Sequence, residues 1–339
     1  VSWQSIQGHD IHVRAFKHAV ERGRLAHAYL FTGPPGIGKR LFAAELAKAL
    51  LCEIGPAPLE ACAACTSCTL FDAGNHPDFF AVSRPDESNE LPIEVMRELC
   101  RGFSLKPARG RGKIAVLDDA DDLNDEAANC FLKTLEEPPP RSVFILIGTS
   151  PERQLSTIVS RCQAVRFAPL PETLVAEILR QQGVTDPHLL SRLVRLARGS
   201  PGQAMALADP ELWTFRKVLV EGLLQPQADT VGLAKRWEEF VEEAGKESVA
   251  KRRRTVLVLR LLIEFFADVL AVSQGASPRL GDREEMGMLQ KLAQRVDADR
   301  LLQVLQRCLE ADVQTGRYVQ LALVREALLD TLGVELAAN

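Results

Sequence analysis

Through the first half of the chain, short apolar runs alternate with stretches of helical periodicity. The runs fall at 28–32, 79–82, 114–117, 143–148 and 164–167. They are continuous rather than alternating, so each predicts a strand covered by helices on both faces. That is the signature of a parallel sheet in an α/β domain. After Leu170 the pattern becomes almost wholly helical. A compact segment bounded by Pro169, Pro171 and Pro210 predicts a small three-helix domain. Amphipathic stretches at 211–224, 230–244, 248–272, 283–296, 299–311 and 318–332 predict a helical bundle. The expected division is therefore 1–170, 171–208 and 209–339. The most apolar window, 255–272, is interrupted by Arg260, Glu264 and Asp268, which makes it too polar for a bilayer span. Their i, i+4, i+8 spacing predicts the wet face of one helix.

A length of 339 residues allows two or three domains with real cores. A content of 46% hydrophobic and 25% charged residues excludes collagen-like, low-complexity and wholly disordered chains. The 41 Lys and Arg against 45 Asp and Glu give a net charge of −4, balanced along both halves. This is not the basic footprint of an autonomous DNA binder, although weak or shared DNA contact stays open. The one basic run, Lys251-Arg252-Arg253-Arg254, can meet DNA phosphate, but such runs are more often solvated or paired. The opening residues carry no basic stretch followed by an apolar block, so a cytoplasmic protein is expected.

Directly after the first predicted strand stands Gly33-Pro34-Pro35-Gly36-Ile37-Gly38-Lys39-Arg40, followed by a helical run. Strand, glycine loop and helix form the setting of a phosphate-binding loop. Gly33, Gly36 and Gly38 let backbone N–H groups curl around phosphate oxygens, and Lys39 reaches the outer phosphates. The plainer alternative is a tight turn with a stray lysine. After Lys39 a Ser or Thr would ligate Mg²⁺. Arg40 stands there instead, and a guanidinium has no lone pair for a metal and repels it. The apolar run ending in Asp118-Asp119 reads as a second metal-site strand. Asp118 would hold Mg²⁺ through water, and Asp119 would stand at the water-activating position, one methylene shorter than the usual Glu. The alternative is a merely acidic strand end, since Asp121, Asp122 and Asp125 follow.

Four of the eight cysteines cluster as Cys52-x9-Cys62-x2-Cys65-x2-Cys68. In a cytosolic chain such crowding favours metal over disulfides, and four thiolates suit a closed, structural tetrahedral Zn²⁺ site. His76 could replace Cys52 as a ligand, and an iron–sulfur cluster is the lesser alternative. Cys100, Cys130, Cys162 and Cys308 read as apolar fillers. His9, His12, His18 and His27 share no ligand spacing and read as packing or surface residues. Trp213 and Trp237 read as bundle core.

These pieces, in this order, resemble the AAA+ clamp-loader subunits of bacterial DNA polymerase III. The resemblance is carried by 27–39 and by Pro107-Ala108-Arg109-Gly110-Arg111-Gly112-Lys113-Ile114. It continues through Asp118-Asp119-Ala120-Asp121, the helix end Thr134-Leu135-Glu136-Glu137-Pro138-Pro139 and Ser160-Arg161-Cys162-Gln163. It is dense over 1–208 and architectural beyond. It implies an AAA+ P-loop parallel-sheet domain at 1–170 with a zinc module at 52–76, an all-α lid at 171–208 and an all-α collar at 209–339. The collar's apolar faces would pack on sister subunits. It also implies a complex with γ/τ and δ subunits that opens a sliding clamp and places it on primer-template DNA at the expense of ATP. No membrane is involved.

Three departures separate the chain from the ATP-hydrolysing γ/τ subunits. Arg40 replaces the hydroxyl residue, Asp119 replaces Glu, and Gly199-Ser200-Pro201-Gly202 puts Gly202 where those subunits resemble Gly-Ser-x-Arg. The resemblance thus implies a subunit whose own site holds ATP or ADP weakly or not at all. In the family the Ser-Arg-Cys arginine reaches the γ-phosphate held by the adjoining subunit, which makes Arg161 a catalytic residue in trans. The helix end at 134–140 lies near subunit contacts in the resembling proteins. The alternatives are a γ/τ-like motor ATPase in which Lys39, Asp118 and Asp119 suffice for turnover, and an interaction scaffold whose Arg161 merely pairs with a surface carboxylate.

Overall fold

The structure is a computed structural model that describes residues 3–54, 59–85, 88, 90–225, 227–245, 247–279 and 283–337. Residues 55–58 of the expected zinc module lie outside the described residues. The chain divides into two compact units, Val1–Thr185 with Ala197–Ala204 and Asp186–Leu196 with Met205–Asn339. The first contains α1 (Asp10–Glu21), β1 (Ala28–Thr32), α2 (Lys39–Leu51), α3 (Thr66–Asp72), β2 (Phe79–Val82), α4 (Ile93–Ser104), β3 (Lys113–Leu117), α5 (Asp125–Glu136), β4 (Ser142–Ile147), α6 (Ser156–Val159), β5 (Gln163–Arg166) and α7 (Glu172–Gln181). Two further helices, α8 (Pro187–Ala197) and α9 (Pro201–Ala206), follow.

All strand pairings are parallel, in the order β2-β3-β4-β1-β5. The three central strands are buried along their whole length. The continuous apolar runs follow from this, because successive side chains enter different cores. Tyr29, Phe31, Val143, Ile145 and Ile147 pack with Phe42 and Leu46 of α2 on one face. Ala28, Leu30, Phe144 and Leu146 pack with Phe103 of α4 and Phe131 of α5 on the other. Since the strands run parallel, their C-terminal ends share one side of the sheet. That side carries the glycine loop after β1, Asp118 after β3 and Thr149 beyond β4.

The second unit contains α10 (Pro210–Leu223), α11 (Thr230–Glu242), α12 (Ser248–Ser273), α13 (Arg283–Arg295), α14 (Ala298–Gly316) and α15 (Leu321–Leu336). Its core holds Trp237, Leu262, Phe265 and Phe266. Trp213 is only half buried, with the Arg192 and Arg216 guanidinium carbons 4.4 and 5.2 Å from its ring. The wet face expected on α12 is not found. Glu264 and Asp268 are buried; the Arg279 backbone N–H donates to Asp268 at 2.7 Å, and its guanidinium lies 3.9 Å from Glu264. A 26-residue helix packed on several sides has no single solvent stripe, and buried carboxylates persist where donors meet them.

The basic run is largely spent within this unit. Lys251 donates to Glu242. Arg252 donates to the carbonyls of Thr315 in the last turn of α14 and of Tyr318 and Val319 just beyond it, while Arg254 lies 2.6 Å from Glu211 and 3.6 Å from Asp209. The turn that Arg252 braces, with Tyr318 at φ +60°, explains why α15 starts at Leu321 rather than 318. Among the described residues, no helix is long and apolar enough to cross a membrane.

Phe144 sits in the middle of the sheet with no solvent exposure. Phe144→Ala should cost about 3–5 kcal/mol by leaving a cavity between β4 and α4. Amide hydrogen exchange in β1, β3 and β4 should accelerate on the order of a hundredfold or more; unchanged protection there would contradict this account of the core.

Candidate functional site

The glycine loop ends at Gly38, whose left-handed φ of +98° caps α2 and turns the chain into the helix at Lys39. Its position is fixed from three directions. The Gly33 N–H donates to the Thr149 carbonyl at 3.0 Å, tying the ends of β1 and β4 together. His9 is buried, and its Nε2 donates to the Ile37 carbonyl at 2.7 Å while the ring stands edge-on to Phe167. The third support is the turn before α9, where Ser200 Oγ donates to the Pro35 carbonyl at 2.8 Å and the Gly202 N–H to the Gly36 carbonyl at 2.9 Å. A Cβ on Gly202 would lie 2.9 Å from both Cα and O of Gly36, closer than real Cβ atoms come. Position 202 is thus pressed against the glycine loop backbone, and any side chain there would require the loop to shift.

Lys39 is buried, and its ammonium donates to the carbonyls of Gly33 at 2.6 Å and Pro34 at 2.8 Å. Burial holds its pKa below the usual lysine value, against the upward pull of Asp118 and Asp121. Across a cavity of about 460 Å³, Gly36, Gly38, Lys39 and Arg40 face Asp118 and Asp119. The volume falls in the range of small-ligand sites. The Arg40 guanidinium lies 3.5 Å from Asp118 Oδ2, so a built-in cation stands beside the carboxylate expected to serve a metal. Burial, and then the neighbouring Asp119 carboxylate, push Asp118 above the usual carboxylate range, while the Asp119 N–H, Arg40 and Lys39 act in the opposite sense. Asp119 itself adopts a left-handed φ of +55° at the start of a short 3₁₀ turn.

Asp121 has a part that its place in an acidic run does not reveal. Its carboxylate accepts from the Thr149 N–H at 2.9 Å, the Thr149 hydroxyl at 2.5 Å and the Gln154 amide at 2.5 Å. It therefore pins the segment beyond β4 against the segment beyond β3.

Arg161 is not among the residues lining that cavity. It follows α6, where its Nη1 donates to the Thr157 carbonyl at 2.9 Å and to Ser160 Oγ at 3.2 Å. Its Nη2 is paired with the Glu136 carboxylate at the end of α5. About a third of the side chain (32%) stays open to solvent.

The four clustered cysteines converge. Their sulfur atoms all lie within 4.8 Å of one another, with Cys52–Cys65 at 3.9 Å and Cys62–Cys68 at 4.0 Å. Backbone N–H groups point at the sulfurs, from Cys62 to Cys52, Cys65 to Cys62 and Cys68 to Cys65. Burial raises the Cys65 thiol, but N–H groups of Cys68 and Glu53 and the adjoining thiols bring it down to about 6, within reach of ionisation near neutral pH. The cluster can hold a metal ion.

His76 is not part of the cluster. Its Nδ1 accepts from the Asp78 N–H at 3.1 Å and its Nε2 meets Ser67 Oγ at 2.7 Å, so both ring nitrogens are engaged elsewhere. Asp78 in turn receives the N–H groups of Ala108 and Arg109, and Arg109 pairs with Glu53 beside Cys52. The Pro107–Lys113 segment thereby braces the cysteine module against the sheet. Of the other thiols, burial pushes Cys162 and Cys308 up to about 12 and leaves them inert.

Comparison with known proteins agrees with this geometry. The profile of the family described as DNA polymerase III, delta subunit, matches residues 8–171. The chain is 31% identical to DNA polymerase III subunit delta′ of Escherichia coli K12, over 84% of this chain and 81% of that protein. It is 38% identical to the subunit of the same name from Pseudomonas aeruginosa, over 64% and 67%. With the E. coli tau subunit it shares 32% identity over 61% of this chain but only 32% of that one. Among solved structures, a gamma subunit-related DNA polymerase III protein of Thermotoga maritima superposes with a TM-score of 0.51 at 16% identity, covering 96% of this chain and 99% of that one, which speaks for a shared fold alone. On the extent of the match to the E. coli protein, the chain belongs to the delta′ subunit family of DNA polymerase III.

Proposed function

We propose that the protein acts as the δ′ subunit of a clamp loader, joining γ/τ and δ subunits to place the sliding clamp on primer-template DNA. It would do so without firing its own ATP site. One observation carries this reading: the Arg40 guanidinium stands against Asp118 where an Mg²⁺-bridged triphosphate needs a hydroxyl and a free carboxylate. The contact of Gly202 with Gly36 points the same way, because it leaves no room for a phosphate-sensing side chain from the lid. The shell of a nucleotide site is retained, with weak or no nucleotide binding expected. The domain roles proposed are an AAA+ module at 1–170, a lid at 171–208 and a collar at 209–339. On α14, exposed Leu302, Leu309 and Val313 share one face that suits packing against a sister subunit.

In this reading the chain's chemical contribution is Arg161, delivered to the γ-phosphate bound by the adjoining γ/τ subunit. A guanidinium there stabilises charge on the transferring phosphoryl group. We assign Zn²⁺ to Cys52, Cys62, Cys65 and Cys68. A tetrahedron with zinc–sulfur bonds of about 2.3 Å has edges of about 3.8 Å, close to the 3.9 and 4.0 Å separations of the two sulfur pairs. Bound there, the ion would hold the module's fold and leave no open coordination position.

Three outcomes are expected. The purified chain should hydrolyse no ATP above background, and turnover abolished by Lys39→Ala would overturn the passive role in favour of a γ/τ-like motor. In the reconstituted complex, Arg161→Ala should slow the adjoining site by about 10³-fold or more, which lowers DNA-stimulated ATPase and clamp loading while assembly by gel filtration is retained. An unchanged rate would reduce the chain to a scaffold. Metal analysis should find about one zinc per chain, and a strong chelator should loosen the module around Cys52–Cys68; less than about half an equivalent would contradict the assignment.

A further inference from the structure

The end of α5 is an unfavourable place for an acid. Glu136 is the helix's last residue and Glu137 follows it, so two carboxylates meet the negative end of the helix dipole and its unsatisfied carbonyls. Within the same unit, Glu136 is paired with the Arg161 guanidinium. Through its other terminal nitrogen, that guanidinium is held by the Thr157 carbonyl and Ser160 Oγ. Arg161 is thus gripped between two elements: α6 holds Nη1 and α5 holds Nη2. Among the described residues its Nε has no partner. A fork with five N–H donors fixed at both ends keeps one orientation and still has donors to offer.

We propose that Glu136 is a positioning residue for the arginine finger: its carboxylate fixes the Arg161 fork so that the unengaged Nε–H is presented to the γ-phosphate bound by the adjoining subunit. This rests on the reading of Arg161 as trans-acting. An arginine side chain has several rotatable bonds, and a guanidinium that must find its pose during the reaction forfeits part of its effect. The Thr157 carbonyl and Ser160 hydroxyl restrain only one nitrogen. Glu136 supplies the second anchor, and the charge of Arg161 in turn offsets a carboxylate that the helix end disfavours.

The test uses the complete reconstituted complex carrying δ′-position variants Arg161→Ala, Glu136→Ala, Glu136→Gln and the double variant. DNA-stimulated ATP turnover is measured as kcat and KM. Glu136→Ala should lower kcat by at least half as much as Arg161→Ala does on a logarithmic scale, with KM for ATP and complex assembly unchanged. Glu136→Gln keeps an acceptor for Nη2 and should recover part of the loss. On the Arg161→Ala background, Glu136→Ala should have no further effect, because its action runs through the guanidinium. If Arg161→Ala slows turnover and Glu136→Ala does not, the positioning role fails while the finger stands. If neither matters, the finger itself fails. Faster turnover in Glu136→Ala would mean that the carboxylate restrains the arginine, which also overturns the proposal. Equal additional losses on both backgrounds would reduce Glu136 to a structural residue of α5.

Discussion

Burial of β1, β3 and β4 on both faces is the constraint from which the site follows. A strand packed on both sides cannot slide by one residue without exchanging its two sets of side chains between different cores. Phe31 and Phe144 therefore fix their strands against α2 on one face and α4 and α5 on the other. Because all pairings are parallel, that registration sets the relative heights of the strand ends. Gly33, Asp118 and Thr149 come to one side of the sheet for this reason, and the hydrogen bonds from Gly33 to Thr149 and from Thr149 to Asp121 tie those ends together. The placement of these groups on one side of the sheet is set by the sheet's packing, whatever chemistry the loop residues carry out.

What that site can do is then an electrostatic question. The cavity is lined by Lys39 and Arg40 together with Asp118, Asp119 and Asp121. In a metal-dependent site the carboxylates would face a divalent ion and triphosphate oxygens. Here a guanidinium already lies 3.5 Å from Asp118. Arg40 is largely exposed, so the pair adds little to folding stability. Its consequence is local, since it sets which cations the carboxylate can still attract.

The sheet and the cysteine module were legible in the sequence because their signals are local. Two-sided burial writes itself as continuous apolar runs, and the ligand spacing of Cys62, Cys65 and Cys68 follows one turn of chain. Other features carry no local mark. The contact of Gly36 with Gly202 joins residues far apart in sequence, and nothing in either motif tells that the two backbones touch. His9 has an ordinary place just before the first helix until the fold brings it to the Ile37 carbonyl. The same spacing that marked Glu264 and Asp268 as a wet face is read by the fold as a buried polar seam, because the chain returns at Arg279 to meet them. That Cys52 lies with the other three thiols while His76 meets Ser67 and the Asp78 amide likewise becomes visible only in three dimensions.

Two arginines of identical chemistry end up with opposite prospects, and the difference lies in their anchoring. Arg40 is more than two-thirds exposed (73%) and meets a single carboxylate at 3.5 Å, so it fills space and charge without a fixed pose. Arg161 is restrained by a carbonyl, a hydroxyl and a carboxylate drawn from two elements. A guanidinium held in this way has already lost most of its rotamer freedom before any ligand arrives, so little further ordering is charged against a contact it makes. The loosely held arginine suits partial neutralisation of the Asp118 carboxylate. The anchored one suits an interaction that demands direction, and it stands apart from the cavity of its own chain.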